Sequence, residues 1–129
     1  MRGRGESWNL PPHTMTLPIF PATEDGFVAA ALMEELPAGE ARMVRLTDPR
    51  GEDRLIALYN VAGTVYATDN SCPHSGGPLG KGTLRGEMIT CPWHMWSFNV
   101  RTGLCDINEE ERIETYMVKI IDGRIFVKV

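Results

Sequence analysis

The chain has 129 residues, 43% of them hydrophobic and 23% charged, the balance of an ordinary globular protein with room for one real core. A net charge of −4 argues against nucleic acid as a partner. The longest apolar run, Phe27 to Met33, is far too short to cross a bilayer, so no membrane association is expected.

In chain order, residues 1–26 carry four prolines and little periodicity, and read as an extended or disordered N-terminal tail. His13 falls in this tail and is given no role. From Phe27 onward short strands alternate with turns, and residues 27–129 are expected to form one domain. Phe27–Leu32 and Ala41–Thr47 are candidate strands, with a helical turn and loop from Glu34 to Gly39 between them. Asp48–Asp53 is a polar connection. Leu55–Tyr59 and Thr64–Thr68 flank Asn60–Gly63, which suggests a hairpin. Lys81–Gly86 reads as a turn-rich bridge and Met88–Thr90 as a short strand. Tyr116–Ile121 and Arg124–Val129 alternate and are joined by Asp122-Gly123, a strong hairpin signal. No sustained helical period occurs. The expected class is all-β, a sandwich or barrel.

Two boxes carry the chemistry. Cys72-Pro73-His74 and Cys91-Pro92-Trp93-His94 each offer one sulfur and one nitrogen from a short loop. Two thiolates and two imidazoles suit a soft or borderline transition metal. Gly76, Gly77 and Gly80 permit tight loop geometry, and Pro73, Pro78 and Pro92 stiffen it. The four residues could hold a structural zinc, although zinc modules usually pair Cys-x-x-Cys with a second Cys or His pair, and here each box is mixed. The third cysteine, Cys105, lies outside the boxes and reads as a small core thiol. With three cysteines in all there is no disulfide framework, and a reducing cytoplasm is the expected compartment. No leader pattern of charged, apolar and small residues is seen at the start of the sequence either.

The paired boxes resemble those of the Rieske family, in which one iron of a [2Fe–2S] cluster has two Cys ligands and the other two His ligands. The resemblance implies that Cys72 and Cys91 hold one iron, and His74 and His94 the other, of one [2Fe–2S] cluster. It also implies an antiparallel β-sandwich with a small cluster-binding subdomain at about residues 70–100. In high-potential members a disulfide ties the two loops together; its cysteines would fall at Gly77 and Trp93. The Ser and Tyr that donate hydrogen bonds to the cluster in those members are replaced by Trp96 and Phe98. With fewer donors to stabilise the reduced cluster, the implied potential is low, roughly −150 mV. Many ferredoxin-type members have Gly after the second His, where this chain has Met95. A large residue there also occurs in ferredoxins that serve toluene-type diiron monooxygenases.

The function implied is that of a carrier with no catalytic residue. It would take electrons from a flavin-dependent reductase and deliver them to a terminal oxygenase, either a ring-hydroxylating dioxygenase or a diiron monooxygenase. Contacts would be transient and centred near His74, His94 and Met95, and a monomer is expected. The alternatives are a small Rieske subunit of a nitrite-reductase-type oxidoreductase and a zinc-stabilised interaction module. An oxygenase in its own right is excluded by content. A mononuclear iron site needs two His and a carboxylate, and only His13 is left over.

Overall fold

The structure is a computed structural model and describes residues 26–73, 76–93, 95–108 and 110–129. The expected tail therefore lies outside the described residues, apart from Gly26. Among the described residues there are ten strands: β1 Phe27–Leu32, β2 Ala41–Thr47, β3 Asp53–Val61, β4 Thr64–Asp69, β5 Thr83–Arg85, β6 Met88–Thr90, β7 Ser97–Asn99, β8 Thr115–Tyr116, β9 Val118–Ile121 and β10 Arg124–Lys128. Among the described residues the helical content is two single 3₁₀ turns, Met33–Glu35 and Leu79–Lys81. The all-β expectation holds, and every ladder is antiparallel.

The strands make three sheets, in the orders β1-β10-β9, β2-β3-β4-β8 and β5-β6-β7. Two hairpins have two-residue loops with both residues at positive φ, Ala62-Gly63 (52° and 98°) and Asp122-Gly123 (50° and 75°). Such loops match the twist of the strands they join. The first is tighter than the expected Asn60–Gly63 turn because β3 runs on to Val61 and pairs it with Thr64. β3 also starts earlier than expected. Asp53 at the end of the polar connection pairs with Thr47.

β3 links the two halves of the interior. Ile56 to Asn60 are all buried, so the strand is covered on both faces. Side chains alternate along a strand. Ile56 and Leu58 enter one apolar cluster with Leu46, Ala67, Ile125 and Val127, between the first two sheets. Ala57 and Tyr59 enter a second cluster with Cys72, Leu79, Ile89, Cys91, Phe98, Val100, Cys105 and Ile113. The small sheet β5-β6-β7 thus packs on the back of the central sheet. This is why the β3 segment reads as a nearly continuous apolar run.

Two features differ from the sequence expectation. The bridge Lys81–Gly86 contains β5, whose Thr83 and Arg85 pair with Thr90 and Met88. The stretch Tyr116–Ile121 is not one strand. Tyr116 pairs with Ala67 of the central sheet, and Val118 pairs with Val127 of the first sheet, so the chain changes sheets at Met117.

Candidate metal centre

The first cluster loop leaves β4 at Asn70, a buried residue that makes four hydrogen bonds among the described residues. Its carbonyl accepts from the Leu79 N–H (2.7 Å) and its N–H donates to the Leu55 carbonyl (3.2 Å). Its side-chain oxygen accepts from the Gly80 N–H (2.8 Å), and its amide nitrogen donates to Met43 Sδ (3.1 Å). Both ends of the loop are therefore tied at one residue and anchored to β2. Gly80 lies flat against that strand, where a Cβ would come within 2.7 Å of the Met43 nitrogen. The sequence marks Asn70-Ser71 as the entry to this loop and Gly80 as a tight position, but not the tie that Asn70 makes between the two ends. An Asn immediately before the Ser71-Cys72 entry was the available signal.

The two cysteine loops close in the same way. The Cys72 carbonyl accepts from the N–H four residues on, at Gly76 (2.7 Å), and the Cys72 N–H donates to the carbonyl five residues on, at Gly77 (2.9 Å). In the second loop the Cys91 carbonyl accepts from the Met95 N–H (3.1 Å), and the Cys91 N–H donates to the Trp96 carbonyl (2.7 Å). The fourth residue after each cysteine is left-handed, with φ of 78° at Gly76 and 63° at Met95. Met95 therefore stands in a backbone conformation that suits Gly, the residue expected here from many ferredoxin-type members.

The loops touch through Gly77. A Cβ on Gly77 would lie 2.6 Å from Cys91 Sγ and 3.1 Å from the Trp93 ring. The two positions that would carry the inter-loop disulfide thus face each other, and here they are filled by a glycine under an indole. Cys72 and Cys91 are 1% and 0% exposed and share one apolar cluster. Cys105 is in that cluster too, as a core thiol, and none of the three cysteines forms a disulfide. Phe98 is fully buried behind the loops and Trp96 packs against the same cluster. Trp93 and Met95 are 60% and 71% exposed. His74 and His94 lie outside the described residues, so the structure positions the sulfur half of the expected donor set.

That half fits an iron–sulfur cluster. Two buried thiols, 1% and 0% exposed and presented by loops of matched closure, suit thiolates that must be shielded from water. A polar network supports the base of the first loop. The Tyr116 hydroxyl donates to Asp69 (2.6 Å) and accepts from Arg54 (2.8 Å), and Arg54 reaches Asp48 (3.5 Å). Burial, then the hydrogen bond to Asp69, pushes the Tyr116 hydroxyl up to about 12. Burial likewise raises that of Tyr59, which is hydrogen-bonded to Thr68 (2.8 Å).

Comparison with known proteins gives the chain's family. The family model of the Rieske [2Fe-2S] domain matches residues 26–117, and the chain belongs to that family. Its one cofactor is accordingly a [2Fe–2S] cluster. The chain is 38% identical over 104 residues to the ferredoxin component of the naphthalene 1,2-dioxygenase/salicylate 5-hydroxylase systems of a Ralstonia species. That match covers 79% of this chain and 94% of the relative. It is 40% identical over 106 residues to the ferredoxin component of the 2,4-dinitrotoluene dioxygenase system of Burkholderia sp. (strain RASC), covering 81% and 96%. Among solved structures it resembles a chain in the complex of reduced oxygenase and oxidised ferredoxin of carbazole 1,9a-dioxygenase. There the TM-score is 0.69 at 26% identity, with 81% of this chain and 94% of that one covered. Among the described residues no helix is long and apolar enough to cross a membrane.

Proposed function

We propose that the chain is the ferredoxin of a multicomponent oxygenase, a one-electron carrier of low potential and not itself a catalyst. It takes electrons from a flavin-dependent reductase and passes them to a terminal oxygenase in the cytoplasm, working as a monomer. When bound, the [2Fe–2S] cluster supplies a centre that gains and loses one electron at a time. The observation that carries the reading is the pair of identically closed loops, Cys72–Gly77 and Cys91–Trp96, brought together at Gly77. The relatives are ferredoxin components of dioxygenase systems, which favours the carrier over a nitrite-reductase subunit or a zinc module. The named relatives weigh toward a ring-hydroxylating dioxygenase over a diiron monooxygenase as the terminal oxygenase.

Cys72 and Cys91 would hold one iron and His74 and His94 the other. Buried Cys72 and Cys91 would keep their thiolates from water in the apolar interior. Imidazole tolerates solvent and its N–H can bond across an interface, so His74 and His94 would be the ligands nearer a partner. The cluster-binding subdomain is the stretch from about residue 70 to 100, with residues 1–26 a tail ahead of the domain. Partners dock briefly around His74, His94 and Met95. Small contact areas suit such short-lived exchanges.

Iron and acid-labile sulfide analysis with EPR of the reduced protein tests this. Two irons and two sulfides per chain are expected, with a signal that changes or disappears in His94→Cys. One zinc and no iron in protein made with ample iron overturns it, as does oxidation of an aromatic substrate by the isolated chain with only a reductant present.

A further inference from the structure

Trp93, Met95 and Ile107 are 60%, 71% and 64% exposed, among the most exposed large apolar side chains described. The first two lie on the second cysteine loop, but Ile107 is twelve residues beyond Met95 and comes from another segment. Residues 104–108 fold back on residues 110–112 as a short lip. Leu104 bridges Arg112, the Cys105 N–H donates to the Glu111 carbonyl (3.2 Å), and the Glu111 and Glu110 N–H groups bond Asn108 (both 3.0 Å). One leg of the lip lies antiparallel along β7, with Phe98 bridging Cys105 and the Asp106 N–H donating to the Ser97 carbonyl (3.0 Å). Ile107 follows Asp106 just beyond that ladder, at the end of β7 where the chain arrives from Met95 and Trp96. Buried Cys105 fixes the lip to the apolar cluster that holds Cys72 and Cys91.

The lip is also the most acidic segment of this part of the chain. Leu104–Arg112 has four acidic residues and one cation, Arg112, which stands at its base. Asp106 and Glu110 are exposed and Glu111 is half-buried. Among the described residues the ion pairs go to other carboxylates, such as Glu87 with Arg101 (3.3 Å) and Asp48 with Arg54 (3.5 Å), and none engages Asp106, Glu110 or Glu111. Two independent features thus meet beside the cysteine loops. One is a run of uncovered apolar side chains, with Met95 held in a left-handed backbone, and the other is a flank of uncompensated carboxylates. Desolvating such apolar groups favours a partner, and unpaired charges at the rim steer it.

We propose that Trp93, Met95 and Ile107 form one apolar docking strip, bounded by the 104–112 lip. Its occupant is a redox protein whose electron-exchange edge is an apolar patch with lysines or arginines along one side. The inference rests on the carrier reading and gives the partner's surface a chemistry. The carboxylates of Asp106, Glu110 and Glu111 fix which way round the partner docks, since the cations must fall on the lip side.

The test uses the cluster-loaded full chain, reduced, and mixed in stopped flow with cytochrome c, a strongly basic redox protein. The second-order rate falls as salt rises. Replacing three of the four lip carboxylates together (Asp106→Asn, Glu110→Gln, Glu111→Gln) lowers the low-salt rate by about fivefold or more and flattens the salt dependence. A charge-matched control on exposed residues elsewhere (Glu34→Gln, Glu40→Gln, Glu52→Gln) changes it by less than about twofold, because steering falls off beyond a Debye length. Ile107→Ser slows the reaction at every salt concentration. Ferricyanide, a small anion that needs no docking strip, is reduced no more slowly by any variant. A lip variant that matches the control, or an Ile107→Ser variant at the wild-type rate, overturns the proposal. Failure of the wild-type chain to reduce ferricyanide overturns the carrier reading on which it rests.

Discussion

Met95 and Gly77 show how strongly single backbone positions constrain the two loops. Met95 occupies the place that Gly76 occupies in the first loop, at φ 63°, where an L side chain is strained. Its side chain is 71% exposed, so little packing offsets that strain. Met95→Gly should therefore raise stability by about 1 kcal/mol, seen as a higher thermal midpoint, with the EPR signal of the reduced protein unchanged. Met95→Ala keeps the left-handed residue and should not give this gain. Gly77 tolerates no such change. A Cβ there would meet Cys91 Sγ at 2.6 Å, so Gly77→Ala forces the loops apart. The expected outcome is protein purified with less than half the wild-type iron per chain.

At the level of elements, the short β8 does more than its two residues suggest. Its Tyr116 joins Asp69, the last residue of β4 before the first cysteine loop, to Arg54 on β3. Arg54 in turn reaches Asp48, whose carboxylate accepts the N–H groups of Glu52 and Arg50 (both 2.9 Å). Those bonds, the Glu52 one foremost, outweigh burial and hold the Asp48 carboxyl below its usual value. An acid whose folded pKa is lowered stabilises the protein above its unfolded pKa, and that contribution is lost as pH falls through the folded value. Tyr116 works at the other end of the scale. Its folded pKa of about 12 lies above the unfolded value of 10.0, so from pH 10 upward the unfolded chain loses its proton first. The Tyr116 contribution to stability is full below pH 10 and declines toward about 12. Tyr116→Phe should be less stable than wild type at neutral pH, and the gap should narrow between pH 10 and 12 in chemical denaturation.

On the scale of the whole molecule, two apolar clusters share one strand but have separate duties. The cluster around Ile125 and Val127 holds the first two sheets together, and neither candidate ligand cysteine belongs to it. The cluster around Phe98 and Ile89 contains both Cys72 and Cys91. Truncating a fully buried side chain in either costs stability: about 2–5 kcal/mol for Ile125→Ala and about 3–5 kcal/mol for Phe98→Ala. The consequences for the metal centre should differ. Ile125→Ala should keep the spectrum and midpoint potential of wild type while unfolding at a lower temperature. Phe98→Ala should lower the temperature and also shift the potential or reduce the iron content, because the cavity opens behind the cysteine loops. Equal spectral effects from the two variants would show that the interior responds as one unit.

The sequence by itself determined the chemistry of the site and the class of the fold. Ligand type and spacing are local properties, so the boxes at Cys72-x-His74 and Cys91-x-x-His94 were legible as a soft-metal motif. Alternation and turn residues are equally local, which is why β1, β2 and the Asp122-Gly123 hairpin were legible too. What only the tertiary structure decided was non-local. β5 and β8 are too short to carry a period, and they exist because Thr90 and Ala67 offer them partners. The change of sheet at Met117 follows from strand order, which no run of six residues encodes. β3 looked like an ordinary apolar strand until two different clusters were seen to cover its two faces. Likewise, nothing in the letters around Met95 announces a left-handed residue. Its conformation is imposed by the two hydrogen bonds that close the loop at Cys91, just as the corresponding bonds at Cys72 impose it on Gly76.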